Sequence, residues 1–349
     1  NTIANATGEG IYIENIGTSS SNLVKSNIVT GMRASLDTNL EGGIFVRNDK
    51  DGYIQIDSNT VKDNNLTSGT GFPASRGTNS TDGIELNLCR GGVHTSAEVD
   101  FADGRVGACS SNATLTALIT NNKVTDLKGG ADGMDSNVGS NGYLDLTVTG
   151  NTVSGVGDEA FTLDAFAEAR GGKIVISNNT LKSSGDKGGS SDGIAVTLHS
   201  PADYATSDES YTVNSDYDFT ITGNTIEADT ANLASAGSKD GDAAEGVKFT
   251  IHEELKSGTT KFKALIENND ITTRLGNAIE FGVNEKAAAG VKFDANITIN
   301  NNRIKQTVDA ADTSETDGAD VIAAAFGEEG TSSITTGTFT ITNNTLTTA

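Results

Sequence analysis

The chain has 349 residues and a net charge of −23, with 47 acidic against 24 basic side chains. A surface of that sign repels phosphate backbones and anionic headgroups, so nucleic acid is not an expected partner, and no stretch approaches the roughly 20 apolar residues of a membrane helix. A single globular core stops growing near about 250–300 residues, yet only Pro73 and Pro201 punctuate the chain and no linker divides it, which points to one elongated domain over 1–349.

Taken in chain order, one short phrase returns nine times: an apolar residue, two residues, an asparagine, one residue, another apolar residue. It stands at Val24 to Val29 (VKSNIV), Ile56 to Val61 (IDSNTV), Ile119 to Val124 (ITNNKV), Val148 to Val153 (VTGNTV) and Ile176 to Leu181 (ISNNTL). It continues at Ile221 to Ile226 (ITGNTI), Ile266 to Ile271 (IENNDI), Ile299 to Ile304 (INNNRI) and Ile341 to Leu346 (ITNNTL). Self-similarity of this kind marks a solenoid. With alternate residues of an extended segment facing the same way, Val148, Asn151 and Val153 all point inward.

A buried asparagine needs partners at both ends of its amide. If Asn27, Asn59, Asn122, Asn151, Asn179, Asn224, Asn269, Asn302 and Asn344 stack, each amide donates to the next carbonyl and an internal ladder results. The residue before each is Gly, Asn or Ser (Ser26 and Ser58 in the first two phrases), which suits a left-handed bend at that point in every coil.

Each coil is read as carrying a second strand introduced by an acidic or glycine residue, seen at Gly10-Ile11-Tyr12, Gly43-Ile44-Phe45, Asp82-Gly83-Ile84, Asp132-Gly133-Met134, Asp192-Gly193-Ile194 and Glu245-Gly246-Val247, with Asn277-Ala278-Ile279 at the same place. The glycine here is expected to serve a sharp corner. The ladder asparagines lie 28 to 63 residues apart, and the excess over a lean coil is loop. Insertions are expected at about 64–81, 89–109, 199–216, 229–244 and 309–318. Cys89 and Cys109, both within the second of these, suggest a local disulfide in an oxidising compartment.

The Asn-Asn-Thr-Ile phrase with its Asp-Gly-Ile partner resembles the repeat of the right-handed parallel β-helix (pectin-lyase-like) superfamily, found in pectin-degrading enzymes, phage tailspikes and surface adhesins. The resemblance covers essentially the whole chain. It implies an all-β, single-stranded right-handed parallel β-helix of about nine to ten coils. On activity it is nearly silent, because that superfamily holds lyases, hydrolases, epimerases and non-catalytic adhesive proteins.

For chemistry, glycoside hydrolysis needs two carboxylates about 5–10 Å apart, one of them holding its proton. Asp132 with Asp135, Asp158 with Glu159 and Asp164, and Asp192 are the candidates, and Asp132, Asp158 and Asp192 are expected to stack on one sheet edge. The recurrence of an acidic residue before glycine at Asp82 and Glu245 argues for corner geometry instead. Lyase members of the superfamily use a basic residue beside a calcium-bound carboxylate; Arg170 and Lys173, following Asp164 and Glu168, are the available bases. His94, His199 and His252 have no zinc spacing. Calcium is the cation that an acidic loop such as Asp309, Asp312, Asp317 and Asp320 would take. No other cofactor is expected, and the balance leans away from an enzyme.

The chain opens at Asn1 rather than Met, which fits a removed leader and secretion. Asn1 and Asn344 fall at one phase of the repeat, so either the solenoid continues in a longer chain or one copy stacks on the next. The expected function is an extracellular or cell-surface structural or adhesive solenoid. It would be a head-to-tail filament subunit or a segment of a long adhesin, with itself or a surface glycan or protein as partner. A polysaccharide lyase or hydrolase is the alternative, and a tailspike-like glycan receptor binder the third.

Overall fold

The structure, a computed structural model, describes residues 1–5, 9–15, 20–32, 42–62, 82–89, 109, 111–127, 131–166, 169–184, 191–200, 211–229, 244–251, 255–274, 276–283, 291–307, 320–326 and 334–348. Among these no helix occurs. The strands form three wholly parallel sheets of ten, nine and nine strands, and every coil lends one strand to each sheet, which makes the chain a parallel β-solenoid with three strands per turn.

One coil shows how the sequence produces this. Phe161–Phe166 lies in what is here termed the corner sheet, Gly171–Ser177 in the broad sheet, and Thr180–Ser183 in the ladder sheet, after which Ile194–Ser200 begins the next coil. The bend between broad and ladder sheets falls on Asn178 at φ 54°, and the equivalent residue of all nine phrases takes the same left-handed conformation. Ser26 at 55° and Ser58 at 57° adopt it too, although serine lacks the local preference of Asn or Gly. Stacking evidently dictates the bend, and residue type only lowers its cost.

Inside, identical positions stack into columns. The last apolar residue of each phrase forms one: Val124, Val153, Leu181, Ile226, Ile271 and Ile304 are paired in register and at most 1% exposed. Farther along, the interior turns aromatic. Phe249 and Phe281 stack with rings 4.9 Å apart, while Phe219 and Phe262 meet Phe249 edge-on at 5.1 and 5.3 Å.

The expected insertions 64–81 and 309–318 lie outside the described residues, as does the interior of 229–244. The 89–109 insertion is seen only at its rims, where Cys89, just after Asp82–Leu88, is bonded to Cys109, just before Ala113–Thr120. The stretch expected as loop over 199–216 is shorter. His199 and Ser200 finish a strand, and Tyr211–Thr222 is a 12-residue strand paired with the 13-residue Leu255–Glu267. Long neighbours in the broad sheet extend each other, which local composition does not reveal.

Candidate functional site

Two columns dominate the polar interior. In the asparagine ladder, each amide Nδ2 donates to the Oδ1 of the next coil's asparagine at 2.9–3.0 Å from Asn1 to Asn344. The same Oδ1 accepts the backbone N–H of the preceding ladder asparagine at 2.8–3.0 Å, from Asn27 onward. From Asn59 on, the second Nδ2 hydrogen goes back to a carbonyl one coil earlier, as from Asn151 to Ile119 at 2.8 Å. Both ends of each interior amide are thereby satisfied, which is why side chains 1–2% exposed, such as Asn151 and Asn179, are tolerated in an apolar body.

The second column lies where the corner sheet begins. Here the glycine does not supply a sharp corner by its backbone: Gly83, Gly133, Gly193 and Gly246 have no left-handed φ. It supplies clearance. A Cβ on Gly133 would lie 2.3 Å from Val153 Cγ1 and 2.6 Å from the Ala160 carbonyl oxygen, and Gly43, Gly83, Gly193 and Gly246 meet Val61, Val124, Ile226 and Ile271 in the same way. Leu181, which branches farther out, occupies the equivalent place in the coil where Ala160 replaces glycine.

The residue before that glycine or alanine is acidic in five successive coils: Asp82, Asp132, Glu159, Asp192 and Glu245, with Asn277 next. The stack differs from expectation at one position. Glu159, not Asp158, shares the register of Asp132 and Asp192, because Ala160 takes the place of glycine; Asp158 sits one residue earlier, beside Ala131. The signal was present in Asn277-Ala278-Ile279, which shows alanine allowed there.

These carboxyls touch their neighbours. The Asp132 N–H donates to Asp82 Oδ1 at 2.9 Å, Glu159 N–H to Asp132 Oδ1 at 3.2 Å, and Glu245 N–H to Asp192 Oδ1 at 2.8 Å. Asp132, Asp158 and Glu159 bring one oxygen each within 4.8 Å of one another, a spacing that suits a hard cation. Partial burial, reinforced by the neighbouring acids, raises half-buried Asp82, Asp132 and Glu159 above the ordinary carboxylate range. Burial likewise pushes Glu245 up to about 10, with the hydrogen bond to Asp192 next in weight.

Of the residues considered for catalysis, Asp132 and Asp158 are in this cluster. Asp135 lies on the strand that follows, buried, with Asn137 Nδ2 donating to its Oδ2 at 2.6 Å and Glu85 and Thr162 alongside in register. Asp164 is in the parallel row, beside Asn137 and Thr197. Arg170 opens the broad sheet: its Nε donates to the Asn141 carbonyl at 3.0 Å, its Nη2 to the Ala113 carbonyl at 2.7 Å, and it lies 5.8 Å from the Tyr143 ring centroid. Lys173 is exposed between Asp145 and Asp218 of neighbouring strands.

Phe45 shares a row with Tyr12 and Glu85 and is buried, 1% exposed, with its ring stacked on Tyr12 at 5.4 Å. Asp309, Asp312 and Asp317 of the acidic loop, with His94 and His252, lie outside the described residues. Asp320 is exposed and follows Asn277 in the corner register.

No family model, no curated protein and no solved structure matches this chain.

Proposed function

We propose that the chain is a non-catalytic structural or adhesive β-solenoid that works outside the cell, as a head-to-tail filament subunit or as a segment of a long surface adhesin. The observation that carries this reading is the unbroken, unidirectional ladder. Every amide dipole points the same way, so coils add only head to tail, and the apolar columns reach the last described coil still open. There Phe339 is 39%, Ile341 47% and Leu346 53% exposed, in register with buried Ile297, Ile299 and Ile304.

The acidic cluster supports the same reading. Its oxygens accept backbone N–H groups between coils, and Arg170 is engaged with carbonyls of its own sheet. Electron microscopy of the purified protein is expected to show rods that join end to end or bundle on a glycan or cell surface; monodisperse rods with no surface binding would overturn the proposal. A second reading, cleavage of polysaccharide, is favoured by one observation, the convergence of Asp132, Asp158 and Glu159 with raised proton affinity. Release of reducing ends or unsaturated products from a panel of uronate and neutral glycans, with and without calcium, would establish it in place of the first.

A further inference from the structure

Asp82, Asp132, Glu159, Asp192 and Glu245 occupy one register position in five consecutive coils, about 4.8 Å apart along the axis. Carboxylates at that spacing, with Asp192 and Glu245 each only 2% exposed, repel too strongly for the whole row to be ionised. Counter-charge is scarce. Among the described residues, the titratable groups that face the row are Glu85, Asp135 and Asp158 along its first half and Glu280 along its second, where Lys248 Nζ also pairs with Glu245 Oε2 at 3.3 Å. From the ladder sheet, Val124, Val153, Ile226 and Ile271 press on the adjoining glycines, and all are apolar.

The asparagine column meets the same stacking demand with a group that both donates and accepts. A carboxyl group has that double capacity only when it carries a proton. In this row one oxygen of Asp82, Asp132 and Asp192 is fixed as an acceptor by the next coil's backbone N–H. In addition Asp132, Asp158 and Glu159 bring carboxyl oxygens within 4.8 Å of one another. A hydrogen bond between two carboxyl groups requires one proton between them.

We propose that this row is a proton-loaded ladder, protonated carboxyls donating to ionised ones of neighbouring coils, and that it acts as a pH switch which tightens the middle of the solenoid in acid and loosens it as the medium turns alkaline. Each closing step takes one proton from solvent and forms one O–H···O⁻ bond. A carboxyl that binds its proton more tightly folded than unfolded favours folding below its unfolded pKa, about 4, and loses that advantage as pH climbs toward the folded value. Glu245, at about 10, extends the window past neutrality. The inference goes beyond the structural reading and stands whether or not the rods polymerise.

The test compares thermal unfolding at pH 5 and pH 8, in chelator so that protons alone neutralise the row. The wild-type midpoint is expected to be higher at pH 5 by at least about 3 °C. The triple variant Asp132→Asn, Glu159→Gln, Glu245→Gln, whose amides replace the protonated acids, is expected to remove that difference by becoming more stable at pH 8. The surface variant Glu267→Gln, with one charge removed elsewhere, is expected to keep it. A wild-type midpoint that does not change with pH, or a triple variant with the wild-type dependence, overturns the proposal. If the triple variant does not fold, infrared spectra of the wild type decide: a protonated-carboxyl C=O band at pH 7 that vanishes in alkali supports the ladder, and its absence at pH 7 overturns it.

Discussion

At the scale of single residues, two side-chain types that sequence scales class as loop formers are core residues here. Asn151 accepts both the N–H and the Nδ2 of Asn122 at 2.8 and 3.0 Å. Asn151→Ala leaves both of those donors dry, and with about 1–3 kcal/mol for each unsatisfied group it should cost about 2–6 kcal/mol in urea unfolding. Glycine divides into two classes. At Gly150, φ is +68° and an added Cβ would meet only the tip of Asn121 at 2.8 Å, so Gly150→Asn, matching its neighbours, should be close to neutral. Gly133 is an ordinary strand residue jammed against Val153 and a backbone carbonyl, so Gly133→Ala should cost about 1–3 kcal/mol, and Val153→Ala in the same chain should relieve part of that cost. A double-mutant cycle by chemical unfolding checks both. The Asp-Gly pairs read from sequence as corners were therefore placed correctly for a different reason: contact between sheets, which one strand does not display.

At the scale of elements, each strand away from the sheet edges is paired on both sides by strands of the adjoining coils, so stability is set by neighbouring coils in sequence order. Inter-coil ion pairs follow that logic: Lys182 reaches Glu227 at 2.6 Å and Lys263 reaches Asp218 at 3.1 Å, both on exposed faces where each adds little. The disulfide acts differently. Cys89 and Cys109, 20 residues apart, close the base of a loop between a corner strand and a broad-sheet strand. Reduction, or Cys89→Ser with Cys109→Ser, should lower stability by about 2–4 kcal/mol through the freed unfolded chain, measured as a shift in the urea midpoint with and without reductant. Of the corner sheet, the phrase-to-phrase spacing revealed the strands and most acidic positions. The alignment of Glu159 over Asp132 follows from Ala160 standing in the glycine position, a substitution that Ala278 already displays in the sequence.

At the scale of the whole molecule, two opposing pH responses meet. The corner row favours acid, whereas Asp57 favours neutrality. Lys25 at 2.8 Å, then Asn121 at 3.1 Å and Thr120 at 2.8 Å, hold its carboxyl well below the usual range. A depressed carboxyl contributes stability above its unfolded pKa, about 4, and loses it as pH falls toward the folded value. Asp57→Asn should accordingly cost about 1–2 kcal/mol at pH 7, and the gap to wild type should narrow progressively as pH falls below about 4, read from unfolding midpoints across pH. Stability of the intact protein is thus expected to peak in mild acid, between the range where the corner row loses its protons and the range where Asp57 gains one.

What the amino-acid order by itself determined is the coil: apolar residues at alternate positions, an amide that must be paired and a residue that accepts a left-handed bend are local demands, written into every phrase from Val24 to Leu346. Only the tertiary structure decided what each coil does to the next. Which acids share a row, why glycine precedes the corner strand, and where Arg170 spends its donors all depend on atoms contributed from 18 (Gly43 to Val61) to 57 residues away. Stacking brings such atoms within about 5 Å, the range at which sterics, charge and hydrogen bonding take effect.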